Sequence, residues 1–172
     1  MPSKGLILVD FENEWIDESS DYFVGDISDV IERVNRLIKH CRKNDYKIIF
    51  TRHVEEESDL AFAPDSSNTE IIFELDRRDS DVLITKNVIS PFYRNSLDEE
   101  LEGIDEIVVA GILTNLCVRK TVEDAYDRDY DIKVIKDCCV AFDDETQVFT
   151  FNDLKNTRPE IDFIDSRSFF KQ

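Results

Sequence analysis

Continuous apolar runs alternate with amphipathic stretches along this chain, and the alternation predicts most of its elements. "GLILVD" (5–10), "YKIIFTRH" (46–53), "DVLITK" (81–86), "DEIVVAG" (105–111), "DIKVIKD" (131–137) and "IDFID" (161–165) read as strands. Between the first two lies "DISDVIERVNRLIKHCRKND" (26–45), where Ile27, Val30, Ile31, Val34, Leu37, Ile38 and Cys41 recur at steps of three and four. That spacing places them on one face of a helix. Asp26 is its expected N-cap, and Lys39, Arg42 and Lys43 suit the negative end of its dipole. Further helices are predicted at 69–76, 96–103 with Ser96 as cap, 115–127 and near 144–154. Residues 54–68 are predicted to form a surface loop.

The strands are unbroken apolar runs rather than period-two patterns, which is how parallel strands covered on both faces read. The expected fold is therefore a three-layer α/β/α domain over residues 1–172, with right-handed crossovers. Its sheet is expected to be Rossmann-like, mainly parallel and six-stranded, in the order 3-2-1-4-5-6. No repeat, low-complexity segment or interdomain linker interrupts it.

In such sheets ligands bind beyond the carboxyl ends of the strands, so the residues there carry the functional reading. The first strand ends in Asp10, the second in Thr51-Arg52-His53, the third in Lys86 and the fourth in Gly111, six residues before Cys117. Each alone has an ordinary role. Asp10 would serve as a turn residue, Lys86 as a solvated end and Cys117 as a small hydrophobe. Together they make coherent chemistry. A thiolate is the nucleophile, and a nearby ammonium and a helix N-terminus both favour it. Asp10 would take the thiol proton and return it to a leaving group. Lys86 would hold the cysteine–aspartate pair in its charged form. Backbone N–H groups of the turn between Gly111 and Cys117 would receive an oxyanion.

Charge narrows the partners. With 21 Lys and Arg against 39 Asp and Glu, the formal charge is −18, which repels nucleic acid and anionic membrane. No apolar run reaches the length of a membrane span, and "MPSKGLILVDFENEW" has too short an apolar core for a secretory signal. A cytoplasmic protein is expected. Its four cysteines, Cys41, Cys117, Cys138 and Cys139, contain no Cys-x-x-Cys pair and are expected to be reduced. His40 and His53 are the only histidines, too few for a histidine-rich zinc site.

From residue 5 to about 142 the chain resembles the isochorismatase-like cysteine hydrolases, which include the nicotinamidases. "LILVDFENEW" is similar to that family's first strand and its Asp-x-Gln-Asn-Asp-Phe. "VLITKNVISPFYRNSLDEEL" resembles its lysine strand and the Ser-Ala-Phe-x-Gly-Thr-x-Leu segment. "IVVAGILTNLCVRKTVEDAYDRDYDIKVIKD" resembles Gly-x-x-Thr-x-x-Cys-Val, Thr-x-x-Asp-Ala and a last buried Asp. These fall on Gly111, Thr114, Cys117, Val118, Thr121, Asp124, Ala125 and Asp137.

The resemblance implies a catalytic triad of Cys117, Asp10 and Lys86, a cis peptide between Ile112 and Leu113, and an oxyanion hole formed by Leu113 and Cys117. The implied reaction cleaves an amide or related C–N bond through a thioester. Glu12, Trp15, His53, Phe92 and Ile112 are the implied substrate-binding residues. A homo-oligomer, dimer or tetramer, acting on a small molecule is implied as well, and the apolar "LAFA" at 60–63 could support such a contact.

Departures from the pattern qualify this. His53 and Glu55 stand where metal-binding relatives carry an Asp-x-His, and no second histidine follows, so neither metal nor other cofactor is expected. Glu12 replaces a glutamine. If it faces the pocket it adds negative charge there or raises the pKa of Asp10; otherwise it faces solvent. Trp15 would stack on substrate or wedge into the core. Arg94 and Asn95 replace Gly-Thr, and Arg94 would meet a substrate carboxylate or simply sit on the surface. Asp129 replaces a glycine, a mild change at a left-handed turn. The alternative function is a non-catalytic relative that binds a ligand. Ether hydrolysis of the isochorismate type fits less well, because that branch generally lacks the cysteine.

Overall fold

The computed structural model describes residues 3–172. Six strands, β1 (Lys4–Val9), β2 (Lys47–His53), β3 (Val82–Lys86), β4 (Glu106–Ile112), β5 (Asp131–Val140) and β6 (Asp162–Ile164), form one sheet in the order β3-β2-β1-β4-β5-β6. Every pairing is parallel. Among the described residues the α-helices are α1 (Ser28–Lys43), α2 (Leu97–Glu100), α3 (Arg119–Tyr126), α4 (Asp144–Thr157) and α5 (Ser166–Phe169). The expected strand order and class are those observed.

Burial explains the apolar runs. Leu6, Ile7, Leu8 and Val9 of β1 and Ile107 to Ala110 of β4 are wholly inaccessible, as central strands covered on both faces must be. In α1 the buried residues are Val34, Leu37, Ile38 and Cys41, and Val30 and Ile31 are half-buried. Its N-cap position falls on Ile27; Asp26, one residue before that cap, instead accepts the Ser28 N–H at 2.9 Å.

Some elements differ from expectation for identifiable reasons. Residues 69–76 are not helical. Ile72 N–H donates to Phe11 C=O (3.0 Å), Asn13 N–H donates to Glu70 C=O (3.0 Å), and Glu12 bridges Ile71 antiparallel. The backbone that a helix would have paired internally is thus taken by the segment after β1, and Phe73 is left exposed. The helix predicted at 115–127 begins instead as one π-helical turn, Thr114–Val118, before α3. Ser96 makes no side-chain cap. β5 runs on through Cys138 and Cys139 to Val140, with its register against β4 shifting between Val109 and Gly111. Asp137 is half-buried rather than buried, and its carboxylate accepts the Ser166 N–H (2.8 Å) and hydroxyl (2.7 Å).

Gly111 answers to a close approach. A Cβ there would collide with the backbone carbonyl and Cβ of Val9 on the paired strand. The central strands β1 and β4 therefore pass each other at a position only glycine fits.

Candidate active site

β1 is followed by Asp10, whose φ of 52° turns the chain out of the sheet. Asp tolerates this left-handed conformation better than most residues, and two contacts hold it there. The Asp10 N–H donates to Thr51 C=O (3.1 Å), and the Thr51 hydroxyl donates to Asp10 Oδ1 (2.5 Å). Asp10 Oδ2 lies 2.7 Å from Lys86 Nζ, the last residue of β3, and both side chains are wholly buried. Lys86 Nζ also approaches Cys117 Sγ (3.4 Å), His53 Nδ1 (3.4 Å) and Val88 C=O (3.2 Å). Three strand ends thus bring Asp10, Lys86 and His53 to one place, and the π-helical turn after β4 adds Cys117. The Ile112–Leu113 peptide leading into that turn is cis.

The electrostatics differ from the thiolate expectation. Burial disfavours the Cys117 anion, the Asp10 charge does so again, and Lys86 offsets only part of this, so the thiol is pushed above its ordinary value. Cys117 thus stands beside the buried Asp10–Lys86 ion pair in surroundings that disfavour its anion. For Lys86, burial works against the charge, but Asp10 and Cys117 outweigh it and raise the ammonium above the usual lysine value. Cys117 sits in the π-helical turn that runs directly into α3.

Asp10, His53 and Cys117 form the floor of an open cavity of about 1470 Å³, and Lys86 is buried against them. Its walls come from the segments 12–25, 54–68 and 87–96, together with α3. Trp15, Tyr22 and Phe62 make one aromatic wall, with ring centroids 5.1 to 6.1 Å apart, and the His53 ring meets Phe62 edge-on at 5.6 Å. Trp15 is anchored by its indole N–H on Asp10 C=O (2.8 Å). Opposite lies Phe92, with the Arg128 guanidinium 4.3 Å above its ring. Arg94 lines the same cavity, exposed and stacked over Tyr93 at 5.0 Å. Ala61 and Leu60 of "LAFA" lie on the cavity wall.

Of the expected substrate-binding residues, Trp15, His53 and Phe92 line this cavity and Glu12 and Ile112 do not; Leu113, expected in the oxyanion hole, does not line it either. Glu12 faces neither pocket nor solvent. It is wholly buried, with Oε1 accepting the His53 backbone N–H. Residues to which the sequence assigned no role at the site also matter here. Thr51 fixes Asp10. Glu14, buried, accepts from the Ser20 hydroxyl and the Phe62 N–H (3.3 Å), tying the two wall loops together. Glu55 accepts from His53 Nε2 at 2.6 Å. Thr51 had a signal, its position at a strand end; the contact of Glu14 with Phe62 joins segments far apart in the chain and had none, while the Glu55 contact is local, two residues from His53.

His53 is a poor metal ligand in this setting, because Nδ1 faces an ammonium and Nε2 a carboxylate. Among the described residues no group of three or more His, Cys, Asp or Glu side chains is placed to hold a metal ion. All four cysteines are free thiols. None of the described helices is long and apolar enough to cross a membrane.

A parallel α/β sheet with a cysteine, an acid and a lysine gathered at its carboxyl edge defines the class of protein. A family model described as the isochorismatase domain matches residues 4–162, and the chain belongs to that family of hydrolases. Among curated proteins it is 25% identical to the uncharacterized isochorismatase family protein YaaI of Bacillus subtilis, over 89% of each chain. It is 24% identical to nicotinamidase 3 of Arabidopsis thaliana, over 87% of this chain and 79% of that one. The fold is that of an isochorismatase family protein from Desulfovibrio vulgaris, with a TM-score of 0.89 and 19% identity over 98% of this chain and 97% of the other.

Proposed function

We propose that the protein hydrolyses a small amide, or a related C–N bond, through a thioester on Cys117. One observation carries this reading: Cys117 Sγ, Lys86 Nζ and Asp10 Oδ2 stand in a chain of 3.4 and 2.7 Å contacts, with Cys117 and Asp10 on the floor of the cavity. The likeness to nicotinamidase 3 supports an amide substrate.

The steps follow from the resting thiol. As substrate binds, Asp10 takes the Cys117 proton and Sγ attacks the carbonyl carbon, while Lys86 compensates the negative charge wherever it sits. The tetrahedral oxyanion is received by backbone N–H groups of the turn, those of Leu113 and Cys117. Asp10 returns its proton to the nitrogen, the C–N bond breaks, and ammonia or an amine leaves. Water, deprotonated by Asp10, then attacks the thioester; the acid departs and the proton returns to Cys117. Because the thiol ionises only within this sequence, the attack depends on Asp10 as base rather than on a preformed thiolate.

Ammonia release from a panel of primary amides, together with an acyl adduct on Cys117 by mass spectrometry, tests this. Turnover lost in Cys117→Ala supports it; turnover undiminished in that variant refutes it. The raised Cys117 thiol also suits a second reading, a relative that binds its ligand without hydrolysing it. That protein would give ligand-dependent thermal shifts and no ammonia from any amide.

A further inference from the structure

The segment after β1 carries two buried acids, Asp10 and Glu12, in very different surroundings. Asp10 has the Lys86 ammonium at 2.7 Å and the Thr51 hydroxyl at 2.5 Å. Glu12 has one partner, the His53 backbone N–H on Oε1. Its Oε2 is buried with no hydrogen-bond partner and no cation in ion-pair contact. The charged and titratable groups that face it are Asp10 beyond β1, Arg52 and His53 on β2, and Lys86 on β3. None is free to serve as its counter-ion. Lys86 is shared by Asp10 and Cys117. Arg52 is engaged by Glu70 (3.1 Å) and the Thr85 hydroxyl (2.9 Å). The His53 ring lies between Lys86 and Glu55.

A second buried negative charge here would have to stand unpaired beside the first, the most unfavourable arrangement for a carboxylate. We propose that Glu12 is a neutral carboxylic acid throughout the working pH range. As a positioning residue it fixes the end of β2 through the His53 N–H and leaves the Lys86 charge to Asp10 and Cys117. Oε1 remains the acceptor, so the proton sits on Oε2. Burial, and then the Asp10 charge, lift this carboxyl to about 10, in keeping with the geometry. The catalytic part of this role rests on the proposed amide hydrolysis; the protonation does not.

The sign of the stability effect follows. A carboxyl whose folded value is raised imposes no cost below its unfolded value. Its cost grows as pH rises above that value and levels off beyond the folded one. Glu12→Gln, an uncharged side chain of the same shape, should therefore melt higher than wild type, with a gap that widens between about pH 5 and about pH 9.

The test begins with infrared difference spectra, wild type minus Glu12→Gln. A protonated-carboxyl carbonyl band should persist through neutral pH and bleach only near 10. Its absence at neutral pH, or its loss in the ordinary carboxyl range near 4, overturns the proposal, whether or not any amide is hydrolysed. The second arm is kinetic. Glu12→Ala, which removes the acceptor of the His53 N–H, should lower kcat/KM by more than about tenfold, and Glu12→Gln should restore it while abolishing the alkaline limb near 10. If the band is present but Gln fails to rescue, the proton itself takes part in the chemistry and the positioning role is wrong. If the amide panel yields no turnover, the infrared and melting data still decide the protonation.

Discussion

On the cavity floor, Asp10 and Lys86 are wholly buried at strand ends and compensate each other's charge at 2.7 Å. On its walls, Tyr22, Leu60, Ile89 and Tyr93 are exposed and come from segments without repeating structure. Strands of a parallel sheet can end in only a few positions relative to one another, so the floor is set once the register is set. Wall loops are pinned by single contacts, such as Glu14 joining the Ser20 hydroxyl to the Phe62 N–H. The floor would then decide what reaction occurs and the walls what molecule undergoes it.

Substitutions separate the two. The largest effect belongs to Cys117→Ala, which should reduce amide turnover by about 10³-fold or more and leave far-UV dichroism unchanged. An equal loss of kcat from a wall residue would end the distinction. Next, Lys86→Met leaves Asp10 buried without its counter-charge and should cost about 3–5 kcal/mol of stability, read by urea denaturation near neutral pH. A cost below about 1 kcal/mol would mean that the pair is solvated in solution.

Gly111→Ala probes the frame beneath the floor. The collision with Val9 should lower stability by about 1–3 kcal/mol and disturb the turn that carries Cys117, so activity should fall with it. The pH dependence of Cys117 alkylation sharpens the picture of the resting triad. Because burial and Asp10 raise the thiol, labelling should rise only above the ordinary thiol range; Asp10→Asn should move the midpoint down and Lys86→Met should move it up. Efficient labelling at about pH 6 would instead mean a preformed thiolate. The smallest effect is expected on the wall. Tyr22→Ala should raise KM by a few fold, consistent with an aromatic contact of about 0.5–1.5 kcal/mol, with kcat and melting temperature nearly unchanged.

Which parts of this were legible in the sequence depends on whether the cause is local. The runs "GLILVD" and "EIVVAG" carry their own burial pattern, and Asp10 and Lys86 mark where those runs and "VLITK" stop. The 69–76 segment misleads because Ile71, Ile72 and Leu75 have helical spacing, while their environment is set by Phe11, Glu12 and Asn13, far away in the chain. Glu12 is the sharpest case. Facing the pocket and facing solvent were both reasonable for an acid after a strand, yet it lies behind the site against the His53 backbone.

By itself, then, the amino-acid sequence determined the strands, their parallel arrangement and the three residues gathered at the sheet edge. Apolar runs, glycine turns and strand-end residues are properties of short segments and obey local rules. Only the tertiary structure decided the surroundings of each ionisable group at the site and the make-up of its walls. Those depend on how much water is removed from each group and on which distant chain segments supply its partners. Asp10 and Glu12 stand two residues apart, yet one faces an ammonium and the other has a single N–H.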